Sequence, residues 1–158
     1  MEMYISDMLI ERVTIGSGYI LSGPALKQLQ AHRAIHEGGL TGALDKTERL
    51  MGLLREGDKE MAERAADDLI DYWKTRVISH ADAEEEGFYR DVVREQPELD
   101  HAVIQLTRDH DLIRIIVDDI ENLRKDEHLS PAVLQKFYAL LVVNEIHSRD
   151  EERLLLEQ

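Results

Sequence analysis

Two stretches decide how this chain is read: Ser79-His80-Ala81-Asp82-Ala83-Glu84-Glu85 and Ile146-His147-Ser148-Arg149-Asp150-Glu151-Glu152. Each places a histidine four residues ahead of a glutamate, and each follows that glutamate with another. Positions i and i+4 share one face of an α-helix. Apolar residues recur at the same interval around them. Leu69, Trp73 and Val77 lead to His80 and Glu84, while Leu140 and Val143 lead to His147, Glu151 and Leu154. The polar pairs therefore interrupt the buried stripes of two amphipathic helices. A second recurrence sits ahead of each pair: His32-Arg33-Ala34-Ile35 before the first, His110-Asp111-Leu112-Ile113 before the second. These histidines continue stripes of their own. One runs Leu29, His32, His36, Leu40, Ala43, and the other Leu106, His110, Ile113, Val117.

Reading outward from the stripes gives four helices. Ser22-Gly23-Pro24 is a start signal, because serine caps and proline is tolerated in a first turn whose N–H has no partner. The first helix is predicted from there to about Arg55, ended by Glu56-Gly57-Asp58. Gly38, Gly39 and Gly42 each weaken its middle by roughly 1 kcal/mol relative to alanine, which points to a kink or the close approach of a neighbour. Asp58 caps a second helix that reaches about Glu95, before Gln96-Pro97. A third runs from about Glu98 to Asp126, and Leu129-Ser130-Pro131 starts a fourth that continues nearly to the end. Four long amphipathic helices with short connections predict an all-α fold, an antiparallel up-down four-helix bundle, over residues 23–158. Residues 1–22 read as a short N-terminal arm. Tyr4, Ile5, Met8, Leu9 and Ile10 suit a short helix. Val13-Thr14-Ile15-Gly16-Ser17-Gly18-Tyr19-Ile20-Leu21 is β-branched and broken by glycine, as an extended arm or hairpin is. The arm either packs across the bundle or joins two copies in a homodimer.

Composition narrows the function classes. A length of 158 residues fits one domain with one substantial core. With 43% hydrophobic and 33% charged residues, the chain is too apolar to be disordered. Its net charge of −14 repels nucleic acid and anionic lipid, so neither is an expected partner. Most of the acids belong to a solvated outer face. There is no cysteine, which removes disulfides, thiolate zinc sites, iron–sulfur clusters and cysteine nucleophiles. No apolar run approaches the roughly 20 residues of a membrane span, and the first residues lack the basic flank and apolar stretch of a signal peptide. The expected location is the cytoplasm. Nucleophile-elbow, dinucleotide and P-loop patterns are missing from the sequence.

Histidine nitrogens and carboxylate oxygens are side-chain ligands of first-row metals. The spacing alone is a weak signal, since seven histidines and 18 glutamates in 158 residues give close to one His-x-x-x-Glu pair by chance. Three features strengthen it: both pairs fall on apolar stripes, both carry the second glutamate, and both are preceded by His-x-x-Ile. Together with one histidine from each remaining helix, the pairs would gather four imidazoles and two carboxylates in a small volume. A buried, unpaired carboxylate costs several kcal/mol or is forced to protonate. A pair of divalent or trivalent ions removes that cost, with glutamates bridging and imidazoles completing each shell. The competing reading is of core histidines, each hydrogen-bonded to a carboxylate one turn away.

The order H…HxxxE…H…HxxxE over four helices resembles the hemerythrin-like, or HHE cation-binding, domain family. The resemblance spans about residues 24–157. It rests on Gln30-Ala31-His32-Arg33-Ala34-Ile35, the stretch 79–85, Arg108-Asp109-His110-Asp111-Leu112-Ile113 and the stretch 146–152. It implies a four-helix bundle around two non-haem iron ions joined by an oxo or hydroxo group. By that resemblance His32 and His80 serve one iron, His110 and His147 the other, and Glu84 and Glu151 bridge them. It also implies an open position, and hence binding of O2, nitric oxide or iron for sensing, storage or stress protection. Were the chain an enzyme, it would be a di-iron oxidoreductase. The alternative is a helical interaction or signalling module, metal-free or zinc-bound, without redox chemistry.

Two departures separate the chain from the oxygen carriers it resembles. Those carry a second histidine four residues after the first on the third helix, where this chain has Arg114. They place an aspartate five residues after the last histidine, where this chain has Glu151 at four and Glu152 at five. Both changes point to the HHE subgroup that includes proteins linked to nitrosative stress and iron–sulfur repair. His36 stays open. Matching Ile35 to Ile113 pairs His32 with His110 and makes His36 an additional ligand or a donor behind one. Alternatively His36 is the ligand and His32 its neighbour. Glu85 and Glu152 either face out or orient imidazoles as acceptors. His101 and His128 are expected at the surface, and Trp73 and Tyr138 in the core.

Overall fold

The computed structural model describes residues 13–15, 18–20 and 28–157. Strands β1 (Val13–Ile15) and β2 (Gly18–Ile20) pair antiparallel, with Val13 opposite Ile20 and Ile15 opposite Gly18. Within the β-branched, glycine-broken stretch, residues 13–15 and 18–20 are extended, as their composition predicts. The short helix expected before it lies outside the described residues, as does Ser22-Gly23-Pro24.

Most of the remaining described residues are helical. The first rod is α1 (Leu29–Glu56). Its start corrects the expectation: Gln28 is extended, with φ −99° and ψ 116°, so the helix opens at Leu29 and not at Pro24. Packing, more than a local cap, stabilises most helices in proteins. The first side chain of α1 to be buried is His32, whose N–H bonds the Gln28 carbonyl at 2.9 Å to close the first turn. At the other end Gly57 adopts a left-handed conformation with φ 79°, and its N–H reaches back to the carbonyls of Leu53 and Leu54. Glycine takes that conformation without a Cβ clash.

Asp58 then caps the second rod through its carboxylate, which accepts from the Met61 N–H at 3.1 Å. This rod comprises α2 (Lys59–Tyr72), α3 (Ser79–Ala83) and α4 (Tyr89–Glu95). They are joined without a break by two wide π turns, Trp73–Ile78 and Glu84–Phe88. A π turn bonds i to i+5 and so rotates the face presented after it. After a 3₁₀ turn at Pro97–Leu99, the third rod is α5 (Asp100–Glu127). Ser130 caps the fourth, α6 (Pro131–Glu151), which ends in another π turn, Glu152–Leu156. No helix among the described residues is long and apolar enough to cross a membrane.

The rods enclose two apolar clusters. The larger is built on Leu50, Leu69, Trp73, Ile113, Phe137 and Leu140, and the smaller on Phe88, Tyr89, Val92, Leu106 and Leu155. Full burial of such side chains stabilises by roughly 1.5–3 kcal/mol each. Trp73 is in the core as expected, but Tyr138 is 50% exposed. It follows buried Phe137 by one residue, a step of about 100° around the helix, and so faces outward. One glycine of α1 marks a close approach: a Cβ at Gly42 would collide with the Tyr72 ring, whose hydroxyl donates to the carbonyls of Gly38 and Gly39 at 3.2 and 3.0 Å. Gly38 and Gly39 themselves have open space around them.

Candidate metal centre

Between the two apolar clusters lies a polar layer to which every rod contributes. Helix α1 supplies His32 and His36, and the second rod supplies His80 and Glu84 from α3 and its π turn. Helix α5 supplies His110, and α6 supplies His147 and Glu151. Glu84, Glu151 and His32 are fully buried, and His36, His110 and His147 nearly so. His80 retains 13% side-chain exposure. All seven side chains named from the sequence thus meet in one place. His32 and His36 both point into the layer.

The donors fall into two groups sharing Glu84: His32, His36 and His80 on one side, His110 and His147 on the other. Glu84 Oε1 lies 2.7 Å from His80 Nε2, 2.9 Å from His32 Nε2 and 3.8 Å from His36 Nε2. Glu84 Oε2 lies 3.2 Å from His110 Nε2. Glu151 is less even-handed. Its Oε2 is 2.6 Å from His32 Nε2 and 3.1 Å from His36 Nε2, while its Oε1 accepts from the Tyr89 hydroxyl.

The charges act strongly on one another. Burial disfavours the charged form of His32, yet the carboxylates of Glu151 and Glu84 outweigh it and lift its pKa to about 10. The same opposition lifts His36 to about 9 and raises His110 as well. Burial and the neighbouring Glu84 charge would raise Glu151, but His32, His36 and His147 bring it down to about 2. Burial would likewise raise Glu84. The electrostatic pull of His80 and the imidazoles of His110, His32 and His36 instead hold it well below the usual carboxylate range.

Hydrogen bonding alone accounts poorly for this layer. The Nε2 atoms of His32 and His36 approach to 3.0 Å, and those of His110 and His147 to 2.9 Å. Each such pair can hold one proton between its nitrogens, not two. Despite their short separation, His80 Nε2 and both oxygens of Glu84 make no well-directed hydrogen bond. Buried polar atoms rarely stay unpaired, and those that do call for an explanation such as an ion. Five imidazole nitrogens and two carboxylates converging on shared points form a donor set suited to first-row metals. The residues present fit a cation centre.

A family model described as the hemerythrin HHE cation binding domain matches residues 27–158. The chain belongs to this family. No curated protein and no solved structure matches it. The matched span takes in both His-x-x-x-Glu pairs and every residue named in the polar layer.

Around these side chains stand groups that the sequence left undecided or missed. Glu85 accepts from His110 Nδ1 at 2.8 Å, and Glu152 from His36 Nδ1 at 3.1 Å. Both are acceptors behind imidazoles, one of the two roles expected of them. Arg114, at the position where oxygen carriers have histidine, reaches Glu85 at 3.0 Å and Asp82 at 2.6 Å, outside the donor cluster. Tyr89 was missed. It is 2% exposed, stacks on the His110 ring with centroids 5.6 Å apart, and is pushed well above its ordinary pKa by burial and by Glu151. It lies five residues after Glu84, off the face in a regular helix but on it across a π turn. His101 is exposed, and His128 is 77% exposed, 3.7 Å from Glu63.

Proposed function

We propose that this HHE-family protein holds two non-haem iron ions in the polar layer and binds O2 or nitric oxide at one of them, for sensing or stress protection in the cytoplasm. The observation that carries the reading is the unequal division of imidazoles about Glu84, three on one side and two on the other. Two imidazoles and a carboxylate are the set that leaves open positions at non-haem iron. Bound iron would supply a redox-active Lewis acid in a dry site.

The protein's own groups have separate tasks in this account. Glu84 spans both halves through its two oxygens. Glu151 serves the three-imidazole half through Oε2, and the Tyr89 hydroxyl holds its other oxygen. The apolar clusters on either side limit water and suit a small, weakly polar ligand. The rods run in the antiparallel up-down sense favoured by their short connections. Iron-loaded protein titrated anaerobically with nitric oxide is expected to give a saturable absorbance change. Iron-loaded protein that responds to neither nitric oxide nor O2 would contradict the ligand-binding role.

A further inference from the structure

Each half of the centre repeats one outer arrangement. In the three-imidazole half, His36 Nδ1 faces Glu152 Oε1 at 3.1 Å, and Arg33 Nε donates to Glu152 Oε2 at 2.8 Å. In the two-imidazole half, His110 Nδ1 faces Glu85 Oε1 at 2.8 Å, and Arg114 Nη2 donates to the same oxygen at 3.0 Å. The arginines are anchored in turn, Arg33 on Glu157 and Arg114 on Asp82 at 2.6 Å. Each outer glutamate directly follows an inner one, Glu85 after Glu84 and Glu152 after Glu151, and each lies in a π turn. The wide turn lets neighbouring carboxylates serve the inside and the outside of one imidazole layer.

We propose that Arg33–Glu152–His36 and Arg114–Glu85–His110 are matching clamps, each fixing one imidazole per half-site with its Nδ1 proton outward and its Nε2 turned to the ion. Each clamp thereby governs how firmly its own half retains metal. The proposal rests on the di-iron reading for its second part only. An imidazole donating Nδ1–H to a carboxylate is locked in tautomer and orientation and becomes a stronger Nε2 donor. The arginines are partly exposed, so they add little stability by themselves. They position the carboxylate. His147 has no such clamp: its Nδ1 lies 3.5 Å from Asp109 Oδ2 and makes no hydrogen bond. Within the two-imidazole half, His110 is therefore the fixed ligand and His147 the adjustable one.

The test has two arms. In the first, wild type and Glu85→Ala, Glu85→Gln and Glu152→Ala variants are loaded with iron and challenged with a chelator. Each alanine variant is expected to lose one of its two ions roughly 10–100-fold more readily than wild type, and Glu85→Gln, which still accepts a hydrogen bond, to recover most of the loss. Alanine variants that retain both ions like wild type would overturn the proposal. In the second arm, ring ¹⁵N NMR of metal-free protein is expected to find a slowly exchanging Nδ1 proton on His36 and His110. Glu85→Ala should lose the His110 signal alone, and Glu152→Ala the His36 signal alone. Rapid exchange at both rings in wild type would sink the clamp. If wild type takes up no metal, the di-iron reading fails, while the ring protons still decide whether the clamps exist.

Discussion

At His32, burial and charge pull in opposite directions, and the outcome sets how the metal-free protein responds to pH. Its folded pKa of about 10 lies above the ordinary 6.5. Its contribution to stability is thus complete below about pH 6.5 and is lost as pH rises towards 10. Glu151, at about 2 against an ordinary 4.5, contributes above about pH 4.5 and loses that contribution as pH falls towards 2. Metal-free protein should be most stable between about pH 4.5 and 6.5, with chemical denaturation midpoints falling on both sides; a flat profile from pH 5 to 9 would contradict these charges. Glu151→Gln removes one partner of this buried cluster and should destabilise metal-free protein at pH 6 by about 3–5 kcal/mol, the usual cost of leaving a buried charge uncompensated. Histidine binds metal as the neutral imidazole, which keeps one ring N–H. Loading at pH 7 is therefore expected to release one proton each from His32 and His36, measurable as acidification in weak buffer.

Among the elements, Gly42 and the π turns separate what sequence can tell from what it cannot. Alanine at Gly42 collides with Tyr72 and should cost about 1–3 kcal/mol, as overpacking does. Alanine at Gly38 meets nothing and should stabilise α1 by up to about 1 kcal/mol. Thermal melts of the two variants check both signs. The glycines were legible as a weak place in the helix, but only the fold tells which one a neighbour occupies. Asp58, Ser130 and Pro131 were legible because a cap is a contact between residues three apart. The site histidines were legible because they sit on apolar stripes. The π turns left no trace, since a wider turn requires no particular residue type, and Tyr89 was hidden with them. Tyr138 was misjudged by residue type, although its place next to Phe137 puts it on the outer face. Ser22-Gly23-Pro24 looked like a start, yet extended Gln28 shows that α1 begins where the packed face does.

For the whole molecule, four rods with apolar clusters above and below hold a charged layer that could not be buried without mutual compensation. The net charge of −14 lies mostly on the outer faces, where cross-rod pairs such as Lys46–Asp68 and Lys136–Asp119 add little. A cation in the layer links binding to folding. At free metal 100-fold above the dissociation constant, each site should add about 2.7 kcal/mol, a melting shift of roughly 5–10 °C in a chain of this size. The measurement that tests the central claim most directly is the iron content of protein expressed with iron, read beside its near-ultraviolet spectrum and its melting point before and after chelation. Two iron ions per chain, one for each donor group about Glu84, with a ligand-to-iron charge-transfer band and a melting point that falls on chelation, is the predicted result. Colourless protein without iron, melting at the same temperature with and without chelator, would contradict it.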